Sequence, residues 1–320
     1  MDRKGKYIDF CEKHPVPLHV QPHWLDAVCG HEHWDVALAL DANGRITGAL
    51  PYHIVKKWML NVIKMPPLTD YTAVLFNYEN LQYMKPYARM TFEQKVLEAL
   101  VTQLPRTALF NLQFYPELDN WLPFYWAGFR QTTTYTFRLE ELTNLDNIYN
   151  NFKSSIRTNI RRASHLADVI CNDDVTAFYQ LYTRSLERRN VAPPYPFATL
   201  QQLDAALIKK QQRTIFFAKS KDSDDYYATL YVAYDRHTAY FIGWGIHSDY
   251  KESHALQLLI WEAIQKLEKI VQRIDFCGSV LPSIERMIRG FGGIRRPCYV
   301  ISKTNNKWLQ IASLIMNRNY

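Results

Sequence analysis

The spacing of apolar residues along the chain predicts a mixture of amphipathic helices and half-buried strands. Between 91 and 104, apolar residues recur every three or four positions, which is the period of a helix with one buried face. In 35–40 and 45–52 they flank the turn sequence Asp-Ala-Asn-Gly, which predicts a β-hairpin. The same reasoning predicts further helices within 16–29, 118–126, 151–166, 175–188, 200–210, 255–267 and 284–288, and further strands at 109–114, 132–137, 214–218, 226–234, 238–244, 273–276 and 299–303.

The second half of the chain repeats the first at a fixed offset. Gly128-Phe129 and Gly290-Phe291 each precede a strand-like run, and 290 − 128 gives an offset of 162. The same offset aligns Phe114 with Phe276, each within a predicted strand. A register shared over this length predicts two copies of one unit, built from a helix, a strand, a helix, a Gly-Phe turn and a strand.

The order of the predicted elements favours an α+β fold with sandwich-like layers. The chain has 320 residues, which fits two domains of roughly 150 residues each. We expect the domains at 1–145 and 146–320, each a mixed, mostly antiparallel sheet flanked by helices. A groove between two such domains is the default ligand site. No GxGxxG or Walker sequence occurs, so a nucleotide-binding fold has no support.

Composition and charge narrow the possible partners. The net charge of +7 suits an anionic substrate, a phosphate-bearing cofactor or RNA, but it is weaker than that of a dedicated nucleic-acid binder. Five cysteines without a CxxC pair indicate a reduced, cytoplasmic protein. We expect no membrane span, because no apolar run approaches the roughly 20 residues that one needs. The shorter apolar run Trp308–Met316 predicts a docking helix.

The helix predicted at 151–166 is strongly basic. Arg157 and Arg161 are four residues apart and share one face, where two guanidinium groups match a diphosphate or an RNA backbone. Ile156 and Ile160 lie between them and anchor the helix. The alternative is a solvated basic face paired with acids.

A strand that ends in glycines and continues through a loop into a helix forms a second candidate site. Tyr240 and Trp244 lie on the strand, and Ser253 and His254 lie near the start of the helix predicted at 255–267. Backbone N–H groups at a helix N-terminus bind anions well. These residues are therefore candidates for holding a phosphate-bearing ligand.

Carboxylates follow in the second copy of the repeat, where the first copy has other residues. Asp275 is the only carboxylate of an otherwise apolar strand, aligned with Gln113, and it could orient an amine or take its proton. The alternative is an aspartate that binds nearby backbone or an arginine. Ser279 and Glu285 complete this polar set, and Glu285 could instead favour the helix dipole. The ten histidines form no metal pattern, so no metal is expected.

Several of these segments together resemble the FemAB-type branch of the GNAT superfamily, which also includes BioF2-like acetyltransferase domains. The resemblance covers about residues 150–303 and rests on segments in the expected order: 155–163, 239–244, 254–264, 275–279 and 291–293. It implies two tandem GNAT-like domains, of which the first is degenerate. It also implies acyl transfer to an amine, with acyl-CoA or aminoacyl-tRNA as donor. The acceptor would be a cell-envelope molecule such as a peptidoglycan precursor, or an anionic small molecule.

Within this resemblance, Asp275 would orient or deprotonate the amine. Arg157 and Arg161 would hold phosphates of the donor or acceptor, and Tyr240 and Trp244 would line the cleft. The sequence departs from the GNAT loop Gln/Arg-x-x-Gly-x-Gly/Ala, because the run from Lys251 to Leu256 contains no glycine. A non-catalytic RNA- or nucleotide-sugar-binding protein that retains the fold is the competing interpretation.

Overall fold

The computed structural model describes residues 2–57, 60–79, 83–278 and 281–305. They form two compact units, one of residues up to 134 together with 297–305, and the other of residues within 135–296. The chain leaves the first unit within one strand and returns to it within another. The domain limits of 1–145 and 146–320 stay a prediction, and the docking helix expected at Trp308–Met316 lies outside the described residues.

The described helices and strands confirm most of the predicted elements. The helices are α1 (Arg3–Lys13), α2 (Pro22–Cys29), α3 (Pro86–Gln103), α4 (Leu122–Trp126), α5 (Leu145–Asn151), α6 (Ser154–Leu166), α7 (Val175–Glu187), α8 (Phe197–Lys210), α9 (Ala255–Leu267) and α10 (Pro282–Arg289). The strands are β1 (Trp34–Leu40), β2 (Ile46–Lys57), β3 (Leu60–Lys64), β4 (Leu75–Phe76), β5 (Leu109–Gln113), β6 (Arg130–Leu139), β7 (Ala167–Asn172), β8 (Arg213–Ser220), β9 (Tyr226–Tyr234), β10 (Thr238–Ile246), β11 (Arg273–Asp275) and β12 (Ile294–Thr304).

Two differences from the predicted elements have clear local causes. Helix α3 begins five residues before the predicted start at 91, because Pro86 occupies its first turn, where a missing N–H costs nothing. Helix α1 was not predicted, because only Tyr7 and Phe10 of its eleven residues are buried and no apolar period emerges from so few positions.

The first unit is a mostly antiparallel sheet with the strand order β1-β2-β3-β5-β12, and β4 pairs with β2. The predicted hairpin is present as β1 and β2. Strands β3 and β5 run parallel, and β12 returns antiparallel to β5. Helices α3 and α4 pack on one face of this sheet over a core that includes Leu100, Phe110 and Phe124.

The second unit is also mixed, with the strand order β6-β11-β10-β9-β8-β7. Strands β7 to β10 form an antiparallel meander, and β11 then adds parallel to β10 and antiparallel to β6. Helices α6 and α9 bury an apolar face on one side of the sheet, with Ile160 and Leu259 among the buried residues. Helix α7 packs on the opposite side, against β10. The predicted α+β class is therefore confirmed.

The repeat is visible in the order of the elements. Helix α3, strand β5, helix α4 and strand β6 recur as α9, β11, α10 and β12, in the same order and with the same Gly-Phe pairs before the last strand. The phenylalanines of both pairs, Phe129 and Phe291, are buried. In each unit the strand of the repeat, β5 or β11, adds parallel to the preceding strand of the meander.

A buried histidine in the first unit predicts acid sensitivity. His19 is fully buried among the rings of Trp24, Tyr71 and Tyr115, with its Nδ1 2.6 Å from the Tyr115 hydroxyl oxygen. Burial lowers the pKa of His19 to about 3 and contributes to lowering that of His53 to about 4. An unfolded histidine titrates near 6.5, so the unfolded chain binds more protons between these values.

Stability should therefore be highest above pH 6.5 and decline as the pH falls toward 4. Each buried histidine contributes a slope of up to about 1.4 kcal/mol per pH unit in that window. Between pH 7 and pH 4.5, the free energy of unfolding measured with urea should fall less for His19→Gln than for the natural chain. His165→Gln, at an exposed position of α6, is the control and should leave the slope unchanged. An unchanged slope in His19→Gln would contradict this assignment.

Candidate functional site

Asp275 ends strand β11 and is completely buried. Its Oδ2 accepts a hydrogen bond from Arg138 Nε at 2.7 Å, and Arg138 is itself only 3% exposed. Its Oδ1 accepts from the Thr136 hydroxyl at 2.5 Å and from the Cys277 N–H at 2.8 Å. Both oxygens are thus engaged, and the negative charge is balanced by a buried guanidinium.

These contacts are those of the alternative role considered for Asp275, an aspartate that binds backbone and an arginine. A carboxylate that is held by three donors and excluded from solvent is poorly placed to accept a proton from a substrate amine. The role of Asp275 as a base stays a prediction that the geometry disfavours. Arg138 and Thr136 escaped the sequence analysis because they lie some 137 and 139 positions away in the chain and belong to no local motif.

A cleft opens beside Asp275, where two parallel strands separate. The pairing of β10 with β11 ends at Tyr240 and Asp275. Beyond this point β10 stays with β9 as far as Ile246, whereas the chain after β11 stays with β6 through a hydrogen bond from Phe276 N–H to Phe137 O. Beyond Tyr240, none of the described strands pairs with the edge of β10 that faced β11. This edge lies at the carboxyl end of the parallel pair, where α/β folds commonly bind ligands.

Trp244 presents its main chain to this open edge. The His247 N–H bonds to Tyr227 O on β9, and successive residues of a strand point their main-chain groups to opposite edges. Ile246 and Trp244 therefore face the cleft. At Ile246 both main-chain groups are held by Ser185 Oγ of α7, which accepts from the N–H at 2.7 Å and donates to the carbonyl at 2.9 Å. Tyr240 is buried, and the Trp244 side chain packs partly against the core.

Close contact with α7 explains a glycine of β10. A Cβ on Gly245 would lie 2.5 Å from the backbone of Leu181, whereas one on Gly243 would meet only the rings of Phe178 and Tyr182 at 3.4 Å. The strand also carries a bulge between Phe241 and Gly243, which changes its direction beside the cleft. The sequence showed the glycines but not the helix that requires Gly245.

The loop after β10 leads into the N-terminus of α9. A 3-10 helix at Ser248–Ser253 precedes His254, whose φ of 55° and ψ of 22° are left-handed. Ser253 is buried, and its hydroxyl accepts from the Ala255 N–H at 3.3 Å. In the GNAT loop the position of His254 holds glycine. The backbone thus keeps the conformation that glycine would favour, although the residue does not.

Of the two arginines predicted on one face of α6, one is structural. Arg157 Nη1 donates to the carbonyls of Asn150 and Phe152, both at 2.6 Å, and so completes the end of helix α5. Arg161 is exposed, and its side chain has no ion-pair partner within the described part of the chain. Helix α6 packs against both α9 and the 3-10 helix, so Arg161 belongs to the same side of the second unit as the loop.

The remaining predicted residues lie elsewhere or outside the described residues. Glu285 lies in the first turn of α10 and forms an ion pair with Arg289 at 3.1 Å, four residues on. Ser279 is outside the described residues. Cys277 and Gly278 both have positive φ, 58° and 60°, and a Cβ on Gly278 would lie 2.2 Å from Tyr135 O. The turn after β11 therefore requires glycine at 278.

Two broader features concern metals and membranes. Within residues 2–57, 60–79, 83–278 and 281–305, no three metal-ligating side chains come together. In that same part of the chain, each helix is too short or too polar to cross a bilayer.

Comparisons with known proteins fit this geometry. Residues 150–282 match the family model described as the acetyltransferase (GNAT) domain. The matched stretch includes β10, β11 and the loop into α9. No curated protein gives a significant sequence match to the chain.

Solved structures extend the likeness to nearly the whole chain. The alignment with the crystal structure of FemX covers 93% of this chain and 96% of the FemX chain, with a TM-score of 0.63 at 12% identity. The C-terminal domain of a putative lysylphosphatidylglycerol synthetase from Agrobacterium fabrum covers 88% and 87%, with a TM-score of 0.53 at 11% identity. A protein of unknown function from Bacteroides thetaiotaomicron covers 94% and 96%, with a TM-score of 0.55 at 10% identity. The resemblance to the FemAB-like branch of the GNAT superfamily is thereby confirmed at the level of the fold.

The buried ion pair predicts a large cost when one partner is removed. Arg138→Met leaves the Asp275 carboxylate buried without its counter-charge, and we expect a loss of about 3–5 kcal/mol in the free energy of unfolding. Arg289→Met removes an exposed pair and should cost less than about 1 kcal/mol. Urea unfolding of both variants measures the difference. Equal losses in the two variants would show that the Asp275 pair is not a stabilising centre of the second unit.

Proposed function

We propose that this protein is an N-acyltransferase of the GNAT/FemAB type that transfers an acyl or aminoacyl group to an amine. The observation that carries the proposal is the open edge of β10, which begins at Tyr240 and leads through the 3-10 helix to the N-terminus of α9. A main-chain edge beside a helix N-terminus suits a donor with an amide-bearing arm and a phosphate.

The phosphate would bind where the 3-10 helix meets α9. Ser253 is helical and His254 is left-handed, and this succession turns neighbouring N–H groups toward one side, as in an anion-binding nest. A bound phosphate would share the Ala255 N–H with the Ser253 hydroxyl, which accepts from it at 3.3 Å. The positive end of the α9 dipole adds to the attraction. Arg161, exposed on the adjacent α6, would supply a mobile cation, whereas Arg157 would act only by holding α5 in place.

The amide-bearing arm of the donor would lie along the open edge. The N–H and carbonyl of Trp244 face that edge and would pair with the arm as a neighbouring strand would. Tyr240, buried at the point where the strands separate, would form the closed end of the cleft. Tyr240 and Trp244 would therefore both line the cleft, as predicted. Trp244 would bind the donor through its main chain and not through its ring.

Acyl transfer itself requires little from the side chains. The amine attacks the thioester or ester carbonyl, the thiol or hydroxyl departs, and the amine loses a proton. Positioning of the two reactants and donors toward the carbonyl oxygen supply most of the acceleration. Asp275 would contribute by fixing the turn at Cys277 and Gly278 beside the cleft, rather than by accepting the proton.

The donor is acyl-CoA or aminoacyl-tRNA, and the acceptor is an anionic cell-envelope molecule such as a peptidoglycan precursor. FemX and the lysylphosphatidylglycerol synthetase domain share the fold, and the second name records aminoacylation of an anionic lipid. The net charge of +7 favours such an acceptor. The five cysteines are free, which fits the reduced cytoplasm, where these donors occur.

A second candidate is a non-catalytic protein that binds RNA or a nucleotide-sugar in the same place. The engaged carboxylate oxygens of Asp275 and the missing loop glycine at His254 favour it. Salt dependence separates the two, because binding dominated by RNA phosphates weakens steeply with salt and a pocket for CoA does so less.

A thermal-shift screen tests the donor class. We expect acetyl-CoA, a longer acyl-CoA, a UDP-linked peptide precursor or an aminoacyl-tRNA to raise the melting temperature, because a ligand that binds the folded state stabilises it. A product assay with an amine acceptor follows for the ligand that binds. Binding without any acyl transfer across the acceptors would favour the non-catalytic alternative, and no binding by any ligand would remove the proposal.

Charge reversal tests the phosphate site. Arg161→Glu should weaken the binding of the phosphate-bearing donor by roughly tenfold or more, because it replaces an attraction with a repulsion. Arg236→Glu makes the same change in charge at the turn before β10, at the opposite end of the strand from the cleft. Titration calorimetry at fixed salt compares the two. Equal weakening would mean that the effect comes from overall charge and not from a site near α9.

A further inference from the structure

The first unit contains the counterpart of the cleft, and the chain itself occupies it. Strands β3 and β5 pair in parallel from Val62 with Leu109 to Lys64 with Asn111, as β10 and β11 do in the second unit. Strand β3 ends at Lys64, and the chain turns away through Met65 and two prolines. The edge of β5 beyond Asn111 would therefore be open.

Thr72 closes this edge with main-chain hydrogen bonds. Its N–H donates to Gln113 O at 2.7 Å, and its carbonyl accepts from the Tyr115 N–H at 2.9 Å. Thr72 forms a parallel bridge with Phe114. The Phe114 N–H donates to Tyr299 O on β12, so Thr72 lies on the other edge of β5, which is the edge that pairs with β3.

The same residue also reaches the next strand. The Thr72 hydroxyl donates to the carbonyl of Pro51 on β2 at 3.1 Å. Thr72 thus stands between β2 and β5, in the place that a longer β3 would fill. Tyr71, Thr72 and Ala73 are all buried, at 0%, 5% and 6% exposure, so the segment is part of the interior.

The second unit satisfies the equivalent strand groups in another way. The repeat offset of 162 aligns Gln113 with Asp275 and Tyr115 with Cys277. In the first unit the Tyr115 N–H donates to the Thr72 carbonyl. In the second unit the equivalent N–H, that of Cys277, donates to the Asp275 carboxylate at 2.8 Å. A buried N–H needs a partner, and here a side chain provides it without inserting a strand. Meanwhile β10 continues along β9 and does not fold back.

We propose that the segment from Thr69 to Ala73 permanently fills the strand cleft of the first unit. Of the two strand clefts, the one in the second unit is then the one that can take a ligand. Asp275 is then a positioning residue: by holding the Cys277 N–H it leaves the second cleft free of an inserted segment. A ligand entering the first cleft would have to break both main-chain bonds of Thr72 and expose buried residues. Only the identity of the ligand in the second cleft rests on the proposed acyltransferase function.

Hydrogen exchange on the full chain tests the occupant without any ligand. The Thr72 and Tyr115 amides should exchange at least about 100-fold more slowly than unprotected amides, as strand amides in a stable core do. The amide of the exposed turn residue Ala42 serves as the fast reference. Unprotected rates at Thr72 and Tyr115 would overturn the proposal.

A pair of variants examines the same contact. Thr72→Pro removes the N–H that Gln113 O accepts and should raise the exchange rate of the Tyr115 amide by about tenfold or more. Thr72→Val removes only the hydroxyl bond to Pro51 and should leave that rate within about threefold of the natural chain. If Thr72→Pro does not fold, the exchange rates of the Tyr115 amide in the natural chain and in Thr72→Val still test the proposal. Fast exchange at Tyr115 in Thr72→Val would show that main-chain pairing does not close the cleft.

Adding CoA as the probe separates this proposal from the proposed function. The expected result is one CoA per chain, with slower exchange at 241–257 and no change at 60–73 or 109–115. Protection at the first cleft, or two CoA per chain, would overturn the proposal. No protection anywhere would count against a CoA donor, and the exchange of Thr72 and Tyr115 in the free protein would still judge the occupant.

Discussion

The separation of the strands in the second unit depends on the buried ion pair between Asp275 on β11 and Arg138 on β6. The pair ties β11 to β6 at the residue where β11 parts from β10, so the direction in which the strands separate is fixed by charge as well as by the sheet. Asp275 also binds the N–H of Cys277, and thereby sets the left-handed turn that requires Gly278. A single carboxylate consequently defines one wall of the cleft and the turn that borders it.

Two units with the same order of elements resolve the end of the repeated strand differently. In the first, Thr72 supplies the missing hydrogen bonds through its backbone, and the edge becomes part of the core. In the second, a side chain supplies the acceptor, and the edge of β10 stays free. The difference between a structural copy and a candidate binding copy thus comes down to which group accepts one strand N–H.

The sequence was informative wherever the determinant is local. Helix α9 was predicted with its observed limits because its apolar period is strong, and the repeat followed from glycine and phenylalanine spacing. Asp275 was correctly singled out as unusual, but its partner is set by the pairing of β11 with β6, which periodicity does not encode. Arg157 was placed on the right helix, yet its guanidinium binds carbonyls at the end of α5, because the chain turns sharply between the two helices. At His254 the backbone adopts the left-handed conformation, which the residue type did not predict.

Helix α7 holds the other wall. Ser185 binds both main-chain groups of Ile246, and Gly245 permits the helix backbone to touch the strand. The width of the cleft is therefore governed by a helix for which we propose no contact with the ligand. A substitution at this contact, such as one at Ser185 or Gly245, would therefore shift β10 without touching Tyr240 or Trp244. The geometry of the proposed site is thus controlled in part from the opposite face of the sheet.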